Sequence, residues 1–301
     1  MFNRGQKLLL LKLLSLFSVV RGYNVLMIAI AQYLTSIYIL APNIPVRKVL
    51  FDPYLFAIVV ASAIAIAAGY IINSFYDAEK DLINRPTKSM LDRLVSQRFK
   101  LSTYFILNFI SVIFASYVSF RAVVFFSLYI FGIWLYSHKL KKIPFVGNFV
   151  SATLAITPFF AVFVYYKNFQ PVIFVHAIFL FLIILMREMV KDLENIKGDI
   201  AHNYQTIPVV YGEKTSKIFI TVLGGLTLIP SYFLVSYFSV GYMYIFFYAC
   251  MLLMLVFIFF LWRSSTKVHY LVLHNILKFI IISGVLSILL IDIDLLLNRI
   301  L

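Results

Sequence analysis

Two short windows of acidic and amide side chains stand out in a chain that has only 12 Asp and Glu among 301 residues. Within each window the side chains recur at intervals of three or four residues, which places them on one face of an α-helix. Carboxylate and amide oxygens suit Mg²⁺, which binds one or two carboxylates together with substrate phosphates. We therefore expect two Mg²⁺ ions, bridged by a diphosphate, between the windows. The first motif is Asn73, Asp77 and Asp81, and the second motif is Asp192, Asn195 and Asp199.

A simpler interpretation of the two motifs stays open at this point. Both follow long apolar runs, so they could be helix ends that reach water and pair with neighbouring lysines. Asp81 beside Lys80 and Asp192 beside Lys191 fit that interpretation. Two matched motifs on the same predicted side of a membrane favour a binding site.

Basic residues close to both motifs are the candidate anion-binding groups. Arg and Lys are the usual ligands of diphosphate oxygens. Arg85 and Lys88 follow the first motif, and Lys141 follows the fourth apolar run. A phosphate-bearing second substrate would need further cations, for which Lys191, Arg93 and Arg21 are available.

The elements that must position these residues are membrane helices. The chain is 63% hydrophobic and 13% charged, with a mean hydropathy of +0.97. This composition excludes an ordinary soluble globular protein, a disordered chain and a disulfide-rich secreted protein. About 20 apolar residues span a bilayer as a helix, and the runs lack the alternation of barrel strands. The fold class is therefore an all-α membrane bundle. Nine runs meet this length, at roughly 22–41, 54–76, 102–119, 121–137, 146–166, 171–190, 216–238, 241–262 and 274–297.

The charge distribution predicts how the bundle is oriented. The formal net charge is +14, which we assign to the cytoplasmic membrane surface and not to nucleic acid. With the N-terminus inside, most Lys and Arg residues fall on the cytoplasmic side, as the positive-inside rule requires. Both motifs then lie at that side of a cell membrane. We expect one multi-pass domain over residues 1–301, with residues 1–20 as an amphipathic segment on the membrane surface.

The two motifs, with their surroundings, resemble the UbiA superfamily of intramembrane prenyltransferases. That family has an N-x-x-x-D-x-x-x-D motif after its second helix, an aspartate-rich motif after its sixth and a nine-helix fold. Arg21 and Asn24 resemble its R-P-x-N at the start of helix 1, with Gly22 in place of proline. Asn195 stands where the family usually has Asp.

The resemblance implies Mg²⁺-dependent transfer of a prenyl group from an isoprenyl diphosphate. It implies metal binding by the two motifs and catalytic roles for Asp77, Asp81, Asp192 and Asp199. Substrate binding is implied for a second set. This set is Arg21, Asn24, Asn73, Arg85, Lys88, Lys141 and Lys191, of which Arg85 and Lys141 also act in catalysis.

The sequence favours one acceptor and disfavours two other functions. The second motif and the residues after it are most similar to the branch that acts on geranylgeranylglyceryl phosphate. Aromatic acceptors such as dihydroxynaphthoate, hydroxybenzoate, homogentisate and haem stay as alternatives. A headgroup phosphotransferase is disfavoured because its D-G-x-x-A-R signature is absent. A transporter is disfavoured because the charges lie at span ends and not at mid-depth.

Overall fold

Nine long apolar helices make up most of the residues that the structure describes. The computed structural model describes residue Gln6 and residues 15–292, except for the side chain of Leu91. Within these residues, nine helices are long and apolar enough to cross a membrane, which confirms a multi-pass, all-α membrane protein. The nine are α1 (Gly22–Leu40), α2 (Pro53–Tyr76), α3 (Gln97–Val118), α4 (Phe120–His138), α5 (Val146–Tyr166), α6 (Pro171–Ala201), α7 (Ile207–Ser236), α8 (Gly241–Arg263) and α9 (Lys267–Leu290).

The helices match the nine predicted runs, but several begin or end elsewhere. Helix α6 continues to Ala201, eleven residues past the predicted end, and α7 and α9 begin earlier than expected. Hydropathy detects only the apolar part of a helix, whereas these ends are polar. The predicted segment over 1–20 lies outside the described residues except for Gln6 and the helical residues 15–20. The end of the predicted ninth run, beyond 292, lies outside them as well.

Helix α2 is the most enclosed helix, because small residues let its neighbours approach closely. Ala61, Ala65 and Ala68 are fully buried, and the hydroxyl of Ser111 on α3 donates to the Ala61 carbonyl at 2.8 Å. A Cβ added at Gly69 would lie 2.9 Å from a methyl of Ile133 on α4. Small residues of this kind are how membrane helices pack without a hydrophobic driving force. The first motif follows directly from this tightly held helix.

A buried polar network at Pro158 ties four helices together. Proline has no N–H, so Pro158 within α5 leaves the Leu154 carbonyl without its helical donor, and the Tyr129 hydroxyl donates to it at 3.2 Å. The Gln32 amide of α1 donates to the Pro158 carbonyl at 2.8 Å and to the Ser62 hydroxyl of α2 at 3.1 Å. Polar groups in a membrane interior must find such partners within the protein.

Replacing Gln32 by Leu should destabilise the bundle by about 1 kcal/mol, which is within the range of interhelical hydrogen bonds in membranes. The substitution removes the donor to Pro158 and Ser62 and leaves both acceptors buried. Thermal unfolding of the purified protein in detergent measures the effect. Gln97→Leu, at an exposed position at the start of α3, is the matched control. Equal melting temperatures for the two variants would contradict the structural role of Gln32.

Candidate active site

The first motif lies where α2 ends. Asp77 is the residue that follows α2, and a turn separates it from a short helix, Lys80–Asn84. The spacing predicts that the motif lies on one unbroken helix, but the structure has a turn between Asp77 and Lys80. The four-residue hydrogen-bond register nevertheless continues, because the Asp77 N–H donates to the Asn73 carbonyl at 2.9 Å and the Asp81 N–H to the Asp77 carbonyl at 2.8 Å.

The carboxylate of Asp77 is buried among donors from three parts of the chain. It lies 2.8 Å from the Lys141 Nζ and accepts hydrogen bonds from the Tyr204 hydroxyl at 2.9 Å and the Asn73 amide at 3.0 Å. Burial opposes the charged form of Asp77, but Lys141 and Lys80 outweigh it and hold the pKa of Asp77 well below its usual value. Burial lowers the pKa of Lys141 to about 8, although Asp77 partly offsets this.

One ammonium group joins the two motifs. The Lys80 Nζ lies 3.1 Å from Oδ1 of Asp199 and 3.7 Å from Oδ1 of Asp77, and 4.2 Å from the centre of the Tyr204 ring. The Thr206 hydroxyl donates to the other Asp199 oxygen at 3.2 Å. Burial alone would lower the pKa of Lys80, but these two carboxylates raise it. The structure thus places a cation between carboxylates from α6 and the end of α2.

The remaining residues of the second motif lie along α6. The Asn148 amide of α5 donates to Asp192 at 2.7 Å. The Asn195 amide donates to the Lys191 carbonyl at 2.7 Å, while its Oδ1 is buried and has no hydrogen-bond partner in the described part of the chain. Lys191 lies 2.8 Å from Glu188. The two lysines therefore pair with carboxylates other than their sequence neighbours: Lys191 with Glu188 on the same helix, and Lys80 with Asp77 and Asp199.

A close contact between Asn84 and Gly198 holds the segment after α2 against α6. The Gly198 N–H donates to the Asn84 Oδ1 at 3.1 Å, and a Cβ at Gly198 would lie 2.3 Å from the Asn84 Nδ2. The guanidinium of Arg85 pairs with Glu194 at 3.1 Å, and Lys267 of α9 donates to the Asn84 carbonyl. Only a glycine allows this approach, which sets the spacing between the motifs.

The other predicted binding residues surround a neighbouring cavity of about 860 Å³, which we call the polar cavity. Arg21, Asn73 and Lys191 line it. The Arg21 guanidinium lies 5.1 Å from the centre of the Tyr70 ring, and the Asn24 amide donates to the Tyr70 hydroxyl at 3.1 Å.

Lys88 and Asp81 are half-buried at the edge of the site. Burial and the charge of Arg21 lower the pKa of Lys88, and Asp81 is close enough to oppose this shift. In the described residues, no three His, Cys, Asp or Glu side chains converge on one point. The acidic residues instead meet lysines.

Several residues outside the predicted site set complete the site. Lys80 and Tyr204 organise Asp77, Asn148 and Thr206 each donate to an aspartate, and Glu194 holds Arg85. No motif marks Tyr204, and its role depends on the turn after α6. Burial and Asp77 raise the pKa of Tyr204, so its hydroxyl remains a donor.

In the described residues, nine long apolar helices carry acidic and basic groups near the ends of α2 and α6, which is consistent with an intramembrane enzyme. The pattern of the UbiA prenyltransferase family matches residues 29–271, so the chain belongs to that family. This membership confirms the resemblance seen in the motifs and favours an enzyme over a transporter.

Relatives and solved structures agree with this assignment. The digeranylgeranylglyceryl phosphate synthase of Pyrococcus furiosus is 36% identical over 168 residues, 55% of this chain and 60% of that protein. The synthase of Sulfurisphaera tokodaii is 29% identical over 226 residues, 72% of this chain and 78% of that protein. The first match thus spans less than two thirds of the relative's length.

The fold is shared with solved structures of low sequence identity. A structure of digeranylgeranylglyceryl phosphate synthase aligns with a TM-score of 0.69 at 23% identity, covering 92% of this chain and 97% of that one. A UbiA homologue from Archaeoglobus fulgidus, bound to GPP and Mg²⁺, aligns with a TM-score of 0.67 at 13% identity, covering 91% and 99%.

We expect Gly198→Ala to destabilise the protein, because its methyl group would displace the Asn84 side chain and overpack the contact by about 1–3 kcal/mol. Thermal unfolding in detergent measures this. Asn84→Ala in the same chain should recover part of the loss, since it removes the clashing amide.

Gly225→Ala is the matched control. No atom lies within 4 Å of its added Cβ, and Ala is the better helix former by about 1 kcal/mol. A loss of stability in Gly225→Ala as large as in Gly198→Ala would show that the close contact is not the cause.

Proposed function

We propose that this protein transfers a polyprenyl group from an isoprenyl diphosphate to a geranylgeranylglyceryl phosphate-like lipid, with Mg²⁺ as cofactor. The observation that carries the proposal is the Lys80 ammonium between Asp77 and Asp199. It marks a position where both motifs already bind one cation. The names of the relatives and the family membership support prenyl transfer and this acceptor.

The donor set fits Mg²⁺. It consists of carboxylate and amide oxygens, the ligands that Mg²⁺ prefers, and Oδ1 of Asn195 is buried without a hydrogen-bond partner in the described chain. When bound, Mg²⁺ offsets the negative charge on the diphosphate as it leaves. We propose two ions. Their ligands are Asn73, Asp77, Asp81, Asp192, Asn195 and Asp199.

The basic residues of the site bind the diphosphate and stabilise it as charge develops. Lys141 is buried beside Asp77, and Arg85 is fixed by Glu194. Donors that are fixed before the reaction do not need to reorganise as the bond to the diphosphate breaks. Lys88, at the edge of the site, adds positive charge. The carbon–oxygen bond to the diphosphate breaks, and the acceptor hydroxyl attacks the allylic carbocation that forms. The released diphosphate accepts the hydroxyl proton, so no enzyme nucleophile is required.

The tail of the donor needs an apolar, dry environment, and a second cavity supplies it. This cavity of about 990 Å³ is lined by α1, α5, α6, α8 and α9. Helices α1, α5 and α6 also line the polar cavity. Phe160, Phe163 and Phe179 form part of its wall. Exclusion of water protects the carbocation from hydrolysis.

The site faces the cytoplasm in this proposal. The helix ends that carry both motifs also carry most of the Lys and Arg residues, as expected for cytoplasmic ends. Water-soluble Mg²⁺ and the diphosphate product would then exchange with the cytoplasm.

The direct test is a transfer assay with purified protein in detergent, geranylgeranyl diphosphate, and Mg²⁺ or EDTA. Geranylgeranylglyceryl phosphate and the aromatic acceptors are offered in parallel, and products are identified by mass spectrometry. We expect a Mg²⁺-dependent diether lipid. A prenylated aromatic ring would refute the proposed acceptor but retain prenyl transfer as the reaction. The absence of any transfer would refute prenyl transfer itself.

Asp77→Asn should lower the turnover rate at least a hundredfold, because it removes the carboxylate shared by Lys80, Lys141 and the proposed metal. Steady-state rates measure this, and size-exclusion chromatography checks folding. Asp52→Asn is the matched control, since Asp52 caps the other end of α2 and Asn is an equally good cap. Full activity in Asp77→Asn would remove the first motif from the mechanism.

Asn195→Asp should keep activity and lower the Mg²⁺ concentration needed for half-maximal rate, because a carboxylate adds negative charge to the proposed ligand set. A Mg²⁺ titration of the initial rate measures the shift. Complete loss of activity would show that the amide itself is required.

A further inference from the structure

The polar cavity has more positive charge than its carboxylates can balance. Arg21, Arg187 and Lys191 line it, and Glu188 is the one carboxylate among the described residues in its wall. Arg187 is not among the site residues predicted from the sequence. The lining therefore has a formal charge of about +2 at a half-buried position, where unbalanced charge is unfavourable.

The ion pairs within the cavity leave donors unused. Glu188 is shared, with one oxygen 3.2 Å from Arg187 and the other 2.8 Å from Lys191. The Nε of Arg187 is buried without a hydrogen-bond partner among the residues that the structure describes. Arg21 lies over the Tyr70 ring, and its positive charge opposes that of Lys191, although Glu188 outweighs this effect. An anion between the three cations would use these donors and relieve this repulsion.

The backbone at Arg21 supports a binding role for its side chain. Arg21 has a φ of 52°, in the left-handed region that costs a non-glycine residue about 1 kcal/mol or more. The Tyr70 ring that positions its guanidinium is itself fixed by Asn24. A strained residue held by two neighbours is typical of a preformed site.

The rest of the cavity wall defines what accompanies the anion. Beyond the charged residues, the wall combines apolar side chains such as Ile28 and Leu154 with polar ones such as Ser137 and Ser151. A polar head with an attached apolar chain fits this mixture. A phosphate monoester carries about −1.5 to −2 charges at neutral pH, which matches the excess of the lining. A diphosphate, in contrast, belongs with the carboxylates and metal of the two motifs, from which only Asn73 reaches this cavity.

We infer that Arg21, Arg187 and Lys191 form a subsite for the phosphate monoester of the acceptor lipid, separate from the site of the donor diphosphate. The identification of this ligand as the acceptor rests on the proposed function. The binding of a phosphate monoester lipid does not depend on turnover. The same cations could instead contact the donor, so the test includes both lipids.

The test compares two acceptor lipids that differ only in the phosphate. Binding of geranylgeranylglyceryl phosphate and of the unphosphorylated geranylgeranylglycerol is measured by calorimetry in detergent, with geranylgeranyl diphosphate plus Mg²⁺ as a third ligand. Wild type, Arg187→Gln and Arg21→Gln are compared with Arg98→Gln, an exposed arginine at the start of α3.

We expect wild type and Arg98→Gln to prefer the phosphorylated lipid. In Arg187→Gln and Arg21→Gln this preference should fall about tenfold or more, because a charge-assisted hydrogen bond is lost. Affinity for the unphosphorylated lipid and for the donor should stay within about twofold of wild type, and KM for the phosphorylated acceptor should rise in parallel.

Two results would overturn the inference. One is an unchanged preference for the phosphorylated lipid, and the other is a loss of affinity confined to the donor, which would assign the cations to the diphosphate. A third result would separate the two proposals. If the wild type binds the lipid through its phosphate and Arg187 but transfers no prenyl group, the subsite is retained and the proposed function is refuted.

Discussion

The ammonium group of Lys80 lies between carboxylates that come from two different helices, and the rest of the site depends on this arrangement. Two buried carboxylates cannot be brought together without a cation, since unit charges 4 Å apart interact with about 4 kcal/mol at an effective dielectric constant near 20. Lys80 reaches both Asp77 and Asp199, and Lys141 adds a second positive charge at Asp77. The folded chain is thus arranged around cations between its two motifs. In our proposal, Mg²⁺ binds for the same reason, because the carboxylates of the two motifs need a cation between them.

The bundle fixes this arrangement by close packing and not by long side chains alone. The small residues of α2 hold it against its neighbours, and Gly198 allows the segment after α2 to rest directly on the α6 backbone. Polar groups that the helices cannot satisfy are paired across helices, as at Pro158. Rigid positioning of the charged groups follows, which electrostatic stabilisation of a leaving group requires.

The sequence alone predicts much of the fold and part of the site. Apolar length and the charge asymmetry predict the nine helices, and helical spacing identifies both motifs, because these properties are local. Pairings between elements are not local. Lys80 lies within the first motif, three residues after Asp77, and reaches the second. Tyr204 acts on Asp77 through the turn after α6. The polar end of α6 was missed for a related reason, since hydropathy ends where charged residues begin.

In our proposal, the cations between the motifs and the donor diphosphate share one site. A structure of the protein with Mg²⁺ and an unreactive thiolodiphosphate analogue of geranylgeranyl diphosphate tests it most directly. We expect metal density contacting both Asp77 and an aspartate of the second motif, with the diphosphate beside Lys141 or Arg85. Diphosphate bound elsewhere, with Lys80 still bridging Asp77 and Asp199, would contradict it.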